Sequence, residues 1–123
     1  MTRLSEATTV WSVNYRALVS DAPPVDLTRV MSRDRVKAID PRHVRVEWVA
    51  TPDRQWLQVS IVGRIIKADG EPGERTQTRQ WGIEYTTPPV RDLPRWVRDI
   101  IEDQIASNHI PHWAVELWKR QDG

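Results

Sequence analysis

Four stretches of this chain alternate between apolar and polar residues, and prolines or turn-forming residues bound them. A period of two puts successive side chains on opposite faces, so each stretch reads as a strand with one buried side. From Val10 to Val19, the row Trp11, Val13, Tyr15, Ala17 and Val19 opposes Ser12, Asn14 and Arg16. Asp21-Ala22-Pro23-Pro24 ends it, because neither proline has an N–H to give a ladder. His43 to Ala50 sets Val44, Val46 and Trp48 against Arg45 and Glu47, with Asp40-Pro41 read as a break before it. Thr51-Pro52-Asp53 turns the chain into Gln55 to Lys67, where Leu57, Val59, Ile61 and Ile65 share a row. Gly70 is placed to take a positive φ, and Pro72-Gly73 suits the centre of a type II turn. Thr76 to Tyr85 then aligns Trp81, Ile83 and Tyr85. Tyr15, Trp48 and Trp81 lie on the apolar rows and are expected in the core.

Period 3.6 appears in three other places. Asp26 is a cap for a helix from Leu27 to about Arg33, with Leu27, Val30 and Met31 as its stripe. After Pro88-Pro89, Trp96, Val97, Ile100, Ile101 and Ile105 predict the best helix, from Leu93 to about Ser107. Asp92 is its expected cap, and Pro94 is tolerated in a first turn. A short terminal helix spans Pro111 to Lys119. The order is β-α-β-β-β-α with a short terminal α. It predicts an α+β domain over 1–123: a mostly antiparallel four-stranded sheet with the long C-terminal helix on one face. Residues 109–123 form a candidate docking tail.

Composition removes several functions. There are no cysteines, which excludes disulfides, cysteine-bound zinc and thiol catalysis. Eighteen basic and 17 acidic side chains leave a net +1, without the basic excess of a dedicated polyanion binder. All the basic residues but Lys37, Lys67 and Lys119 are arginine, which fits a GC-rich genome and also a surface making bidentate contacts. Met1 to Glu6 lacks the apolar run of a signal peptide, and no stretch nears the roughly 18 apolar residues of a membrane span. A cytoplasmic protein away from membranes, without a cofactor, is the expectation.

Four groups of residues are candidate sites. His109, His112 and Glu116 are the nearest approach to a metal set, but the histidines are three apart across Pro111, and the helical i, i+4 pairing of HExxH is not met. Arg91, Arg95 and Arg98 gather where the long helix starts and could hold an anion. Asp99, Glu102 and Asp103 stand close by, which equally describes a solvated charged stripe. On the polar sheet face, Arg16, Arg45, Trp56 and Arg64 could take nucleic acid by stacking and phosphate contacts. RNP signatures are absent, and Val90 to Arg95 lacks the lysine-rich helix start of a double-stranded RNA-binding module. In the tail, Ile110, Trp113, Leu117 and Trp118 must be buried, either on their own domain or in a partner, where Trp is a frequent anchor. No phosphate loop, nucleophile elbow or poised carboxylate pair occurs.

These readings rank as follows. A non-catalytic protein-interaction module comes first, binding a protein partner or a second copy as a homodimer; its size and composition suit an accessory protein of a phage or mobile element. Nucleic-acid binding through the sheet face comes second, and a small metal-dependent hydrolase third.

Overall fold

The computed structural model describes residues 11–27, 36–107 and 109–122. It is an α+β fold: an antiparallel five-stranded sheet and two helices. The strands are β1 (Trp11–Leu18), β2 (Val25–Asp26), β3 (Val36–Ala50), β4 (Gln55–Lys67) and β5 (Pro72–Ile83). The helices are α1 (Arg95–Ala106) and α2 (His112–Asp122). Along the sheet the order is β1-β3-β4-β5, and β2 also pairs with β3, antiparallel, with Val25 opposite Ile39.

The four expected strands are present, with altered ends and one addition. Asp40-Pro41 does not interrupt the chain, since β3 runs through it from Val36. The physical reason lies opposite: Gly63 of β4 has no side chain, and a Cβ there would stand 2.7 Å from the carbonyl carbon of Asp40 and 3.0 Å from the Cα of Pro41. A proline inside a sheet needs such an irregular spot. Pro72-Gly73 is likewise not a turn centre but the start of β5. The hairpin turns one step earlier, where Gly70 takes φ 90° and donates to Lys67 O, while Lys67 N donates to Glu71 O. Asp26, expected as a helix cap, instead belongs to β2, opposite Ala38. The rest of that expected helix, 28–33, lies outside the described residues. Tyr85 falls beyond the end of β5.

The chain divides into two compact units, and β1, β3, β4 and β5 contribute residues to both. The first contains the described residues within Met1–Tyr15, Val46–Val59 and Trp81–Gly123; the second contains those within Arg16–Arg45 and Ser60–Gln80. In the first unit, the inward row Val46, Trp48, Leu57, Val59, Trp81 and Ile83 is buried together with Val97 and Ile101 of α1 and Ala114, Leu117 and Trp118 of α2. Trp48 Nε1 donates to Gln104 Oε1 at 3.0 Å, tying β3 to α1. Asp92 does not cap α1: Pro94 occupies that position, and the Asp92 carboxylate accepts from Trp81 Nε1 at 3.1 Å. In the second unit the buried residues are aliphatic, including Val25, Leu27, Ile39, Val44, Ile61 and Ile65. Tyr15 departs from its expected place. It is 37% exposed, although Trp48 and Trp81 are buried as read.

Candidate functional site

The tail folds back within the first unit. Leu117 is fully buried and Trp118 is 3% exposed, while Ile110 and Trp113 are half-buried. Trp113 presents edges to two other rings, with centroids 5.7 Å from Trp11 and 6.2 Å from Trp48. Its carbonyl accepts from the Tyr85 hydroxyl at 2.9 Å. The Arg98 guanidinium lies over Trp118 at 5.4 Å, and the buried Gln121 accepts from Val90 N at 2.8 Å. A partner could reach Leu117 and Trp118 only by displacing α2.

The anion candidates have different local surroundings. Arg91 is exposed, Arg95 pairs with Asp99 at 3.6 Å, and Arg98 donates to the Val90 carbonyl at 2.7 Å. Nor do the metal candidates assemble. His109 Nδ1 lies 3.1 Å from Ser107 Oγ, while Glu116 lies 3.9 Å from His112 and 3.6 Å from Lys119. Among the described residues no group of three His, Cys, Asp or Glu could hold a metal ion. No helix among them is long and apolar enough to cross a membrane.

The sheet-face residues divide between the units. Trp56, in the first, lies beneath Arg54 at 4.6 Å, and Arg54 also bonds Glu84 at 3.0 Å. In the second, Arg64 reaches across to β5 and donates to the Gly73 carbonyl at 2.6 Å. Arg16 and Arg45 are brought together. They line a shallow groove of about 300 Å³ with Leu18, His43, Ser60 and Val62. These six stand on outward rows: Arg16 and Leu18 on β1, whose other row is at most half-buried, and His43 and Arg45 on β3 and Ser60 and Val62 on β4, opposite buried residues. No residue lining the groove carries a carboxylate.

Sequence reasoning missed Leu18, His43 and Val62 in this place. Leu18 carried a signal: it follows Ser12, Asn14 and Arg16 on the polar row of its strand. An apolar residue at the end of a polar row has no core to enter, and Leu18 is 81% exposed.

Charge is unevenly shared between the units. The segments of the second hold 11 Lys and Arg against 7 Asp and Glu, a formal +4, and those of the first hold 7 against 10, a formal −3, together giving the chain's +1. Compared with family models, curated proteins and solved structures, the chain matches none.

Proposed function

We propose that this chain is a non-catalytic module that binds another protein, and that the binding surface is the groove on the second unit's outward sheet face. The observation that carries the proposal is Leu18, 81% exposed, lining a concavity beside Val62 and ringed by Arg16, His43, Arg45 and Ser60. A concave site with an apolar floor and a few polar groups is the usual form of a binding site, and arginine is enriched where proteins meet. The candidate anion-binding and metal-ligating groups, by contrast, are engaged in local contacts.

Panning a random-peptide display library on the whole chain tests this reading. Enriched peptides should lose binding to a Leu18→Asp variant, which places a charge on the groove's apolar lining. Peptides that bind that variant as well as the parent would move the site elsewhere.

The nucleic-acid reading retains Arg16 and Arg45 but loses its stacking platform, since no Trp, Tyr or Phe lines the groove and Trp56 lies under Arg54.

A further inference from the structure

We infer that Asp69–Gly70 is a modification site, where the main chain isomerises to isoaspartate at a pace set by opening of the β4–β5 hairpin. The site is independent of the groove and of what binds there.

The reaction needs nothing but water. The Gly70 nitrogen attacks the Asp69 side-chain carbon, Cγ, and the new N–Cγ bond closes a five-membered ring. One carboxyl oxygen leaves as water, taking the carboxyl proton and the proton of the Gly70 N–H. The resulting succinimide then takes a water back. Opening at the N–Cγ bond restores aspartate. Opening at the bond from that nitrogen to the Asp69 main-chain carbonyl carbon leaves the chain running through Cβ and Cγ, as isoaspartate.

The turn leaves both reacting groups accessible. Residues 67–72 are all exposed. Apart from the adjoining residues, nothing lies within 4 Å of where a Gly70 Cβ would stand, so no side chain shields the nitrogen. Glu71 N donates to Asp69 Oδ1 at 2.9 Å, which folds the carboxyl back along the two residues that follow. Holding two reacting groups of one chain close together is what favours such a ring closure.

The same turn restrains the attacking nitrogen. Gly70 N donates to Lys67 O at 2.8 Å, and Lys67 N donates to Glu71 O at 2.9 Å. The nitrogen must leave the Lys67 carbonyl before it can close on Cγ, so the shut hairpin slows the reaction and fraying releases it. A third bond, Arg64 Nε to Gly73 O at 2.6 Å, ties the start of β5 to β4. Exposed hairpin tips are among the places where local opening takes least free energy. Isoaspartate adds one carbon to the main chain, about 1.5 Å of path. Register in a hairpin follows from the length of its turn, so the bonds from Lys67 to Gly70 and Glu71 would not re-form as before.

The test is to age the whole chain in warm, mildly acidic buffer, both folded and in guanidinium chloride. Peptide mapping with electron-transfer fragmentation reads isoaspartate at position 69 and separates it from the chain's other Asp-Gly pair, Asp122–Gly123. Isoaspartate should build up at Asp69 in both samples, and at least about tenfold faster in denaturant. Arg64→Ala removes the bond to Gly73 from an exposed side chain. It should speed the folded sample and leave the denatured rate unchanged. Asp69→Glu, which can close only a six-membered ring, should abolish the signal. No isoaspartate at position 69 even in denaturant would overturn the site. Equal rates in the folded and denatured parent, or an Arg64→Ala chain ageing no faster than the folded parent, would overturn the control by the hairpin.

Discussion

The first unit's core mixes indole rings with aliphatic side chains, and the second's is aliphatic alone. All seven tryptophans fall in the segments of the first, and those of the second contain no Trp, Tyr or Phe. The difference has consequences beyond packing. A buried indole or phenol brings a donor that needs an acceptor. The first unit supplies Gln104 for Trp48, Asp92 for Trp81 and the Trp113 carbonyl for Tyr85, while the buried Nε1 of Trp96 and of Trp118 meets no acceptor among the described residues. The second unit closes on Val, Leu, Ile and Ala, which ask for no partners. The −3 and +4 balances of the two units follow the same division.

The comparison is broken most directly at Trp48. Its side chain is fully buried, meets Trp113 edge-on, and supplies the donor to Gln104. Trp48→Ala should cost about 3–5 kcal/mol, the usual range for emptying a buried aromatic site. Urea unfolding followed by circular dichroism reads this as a lowered midpoint. A loss under about 1 kcal/mol would mean that the rings do not hold the first unit together.

The second unit has its own point of failure, and it is backbone against backbone. Gly63→Ala sets a methyl 2.7 Å from the Asp40 carbonyl carbon and 3.0 Å from Pro41 Cα. Neither can rotate away. A cost of about 1–3 kcal/mol follows from overpacking, read in the same urea titration. Gly82→Ala, with nothing within 4 Å of the added carbon, is the matched control and should lack that penalty.

These two positions also mark what could and could not be read from the residues alone. Trp48 was legible, because Val44, Val46 and Trp48 repeat at period two, and the helix stripe centred on Val97 and Ile101 was legible at period 3.6. Gly63 was not. Its role depends on which backbone lies opposite, and a local pattern does not carry register. The same blindness made Asp40-Pro41 look like a break, when β4 supplies a glycine there to let the strand continue. Asp92 was misread for a related reason, since a helix cap and an indole acceptor ask for the same residue type and only tertiary contact separates them. Of the candidate sites, Arg16 and Arg45 came together because they stand on outward rows of neighbouring strands. Arg91, Arg95 and Arg98 share a stretch of sequence but have different local surroundings.

A finer cut separates ring packing from the hydrogen bond that accompanies it. Gln104→Ala leaves the Trp48 ring in place but removes its acceptor. The expected cost is about 1–2 kcal/mol, the penalty for a buried donor left unpaired. If Gln104→Leu unfolds with the parent's midpoint, apolar contact has replaced the bond, and rings alone hold the first unit. If both variants lose stability alike, the acceptor is part of what sets Trp48 in place.

The smallest expected effect is the one that bears most on function. Arg16 and Arg45 are exposed on the outward rows of β1 and β3, and the second unit's core closes on the opposite side of β4 with Ile61 and Ile65. If side chains facing the groove are not needed for packing, Arg16→Gln with Arg45→Gln should change stability by no more than about 0.5 kcal/mol, as is usual for surface substitutions. The same pair should weaken binding of the peptides selected by display. A residue kept for the fold would show the reverse, a lowered urea midpoint whether or not a ligand is present. Stability and binding measured on one variant therefore decide whether this face is a wall of the domain or a surface held ready for a partner. A midpoint falling by more than about 1 kcal/mol would make these arginines structural and erase the contrast between the units.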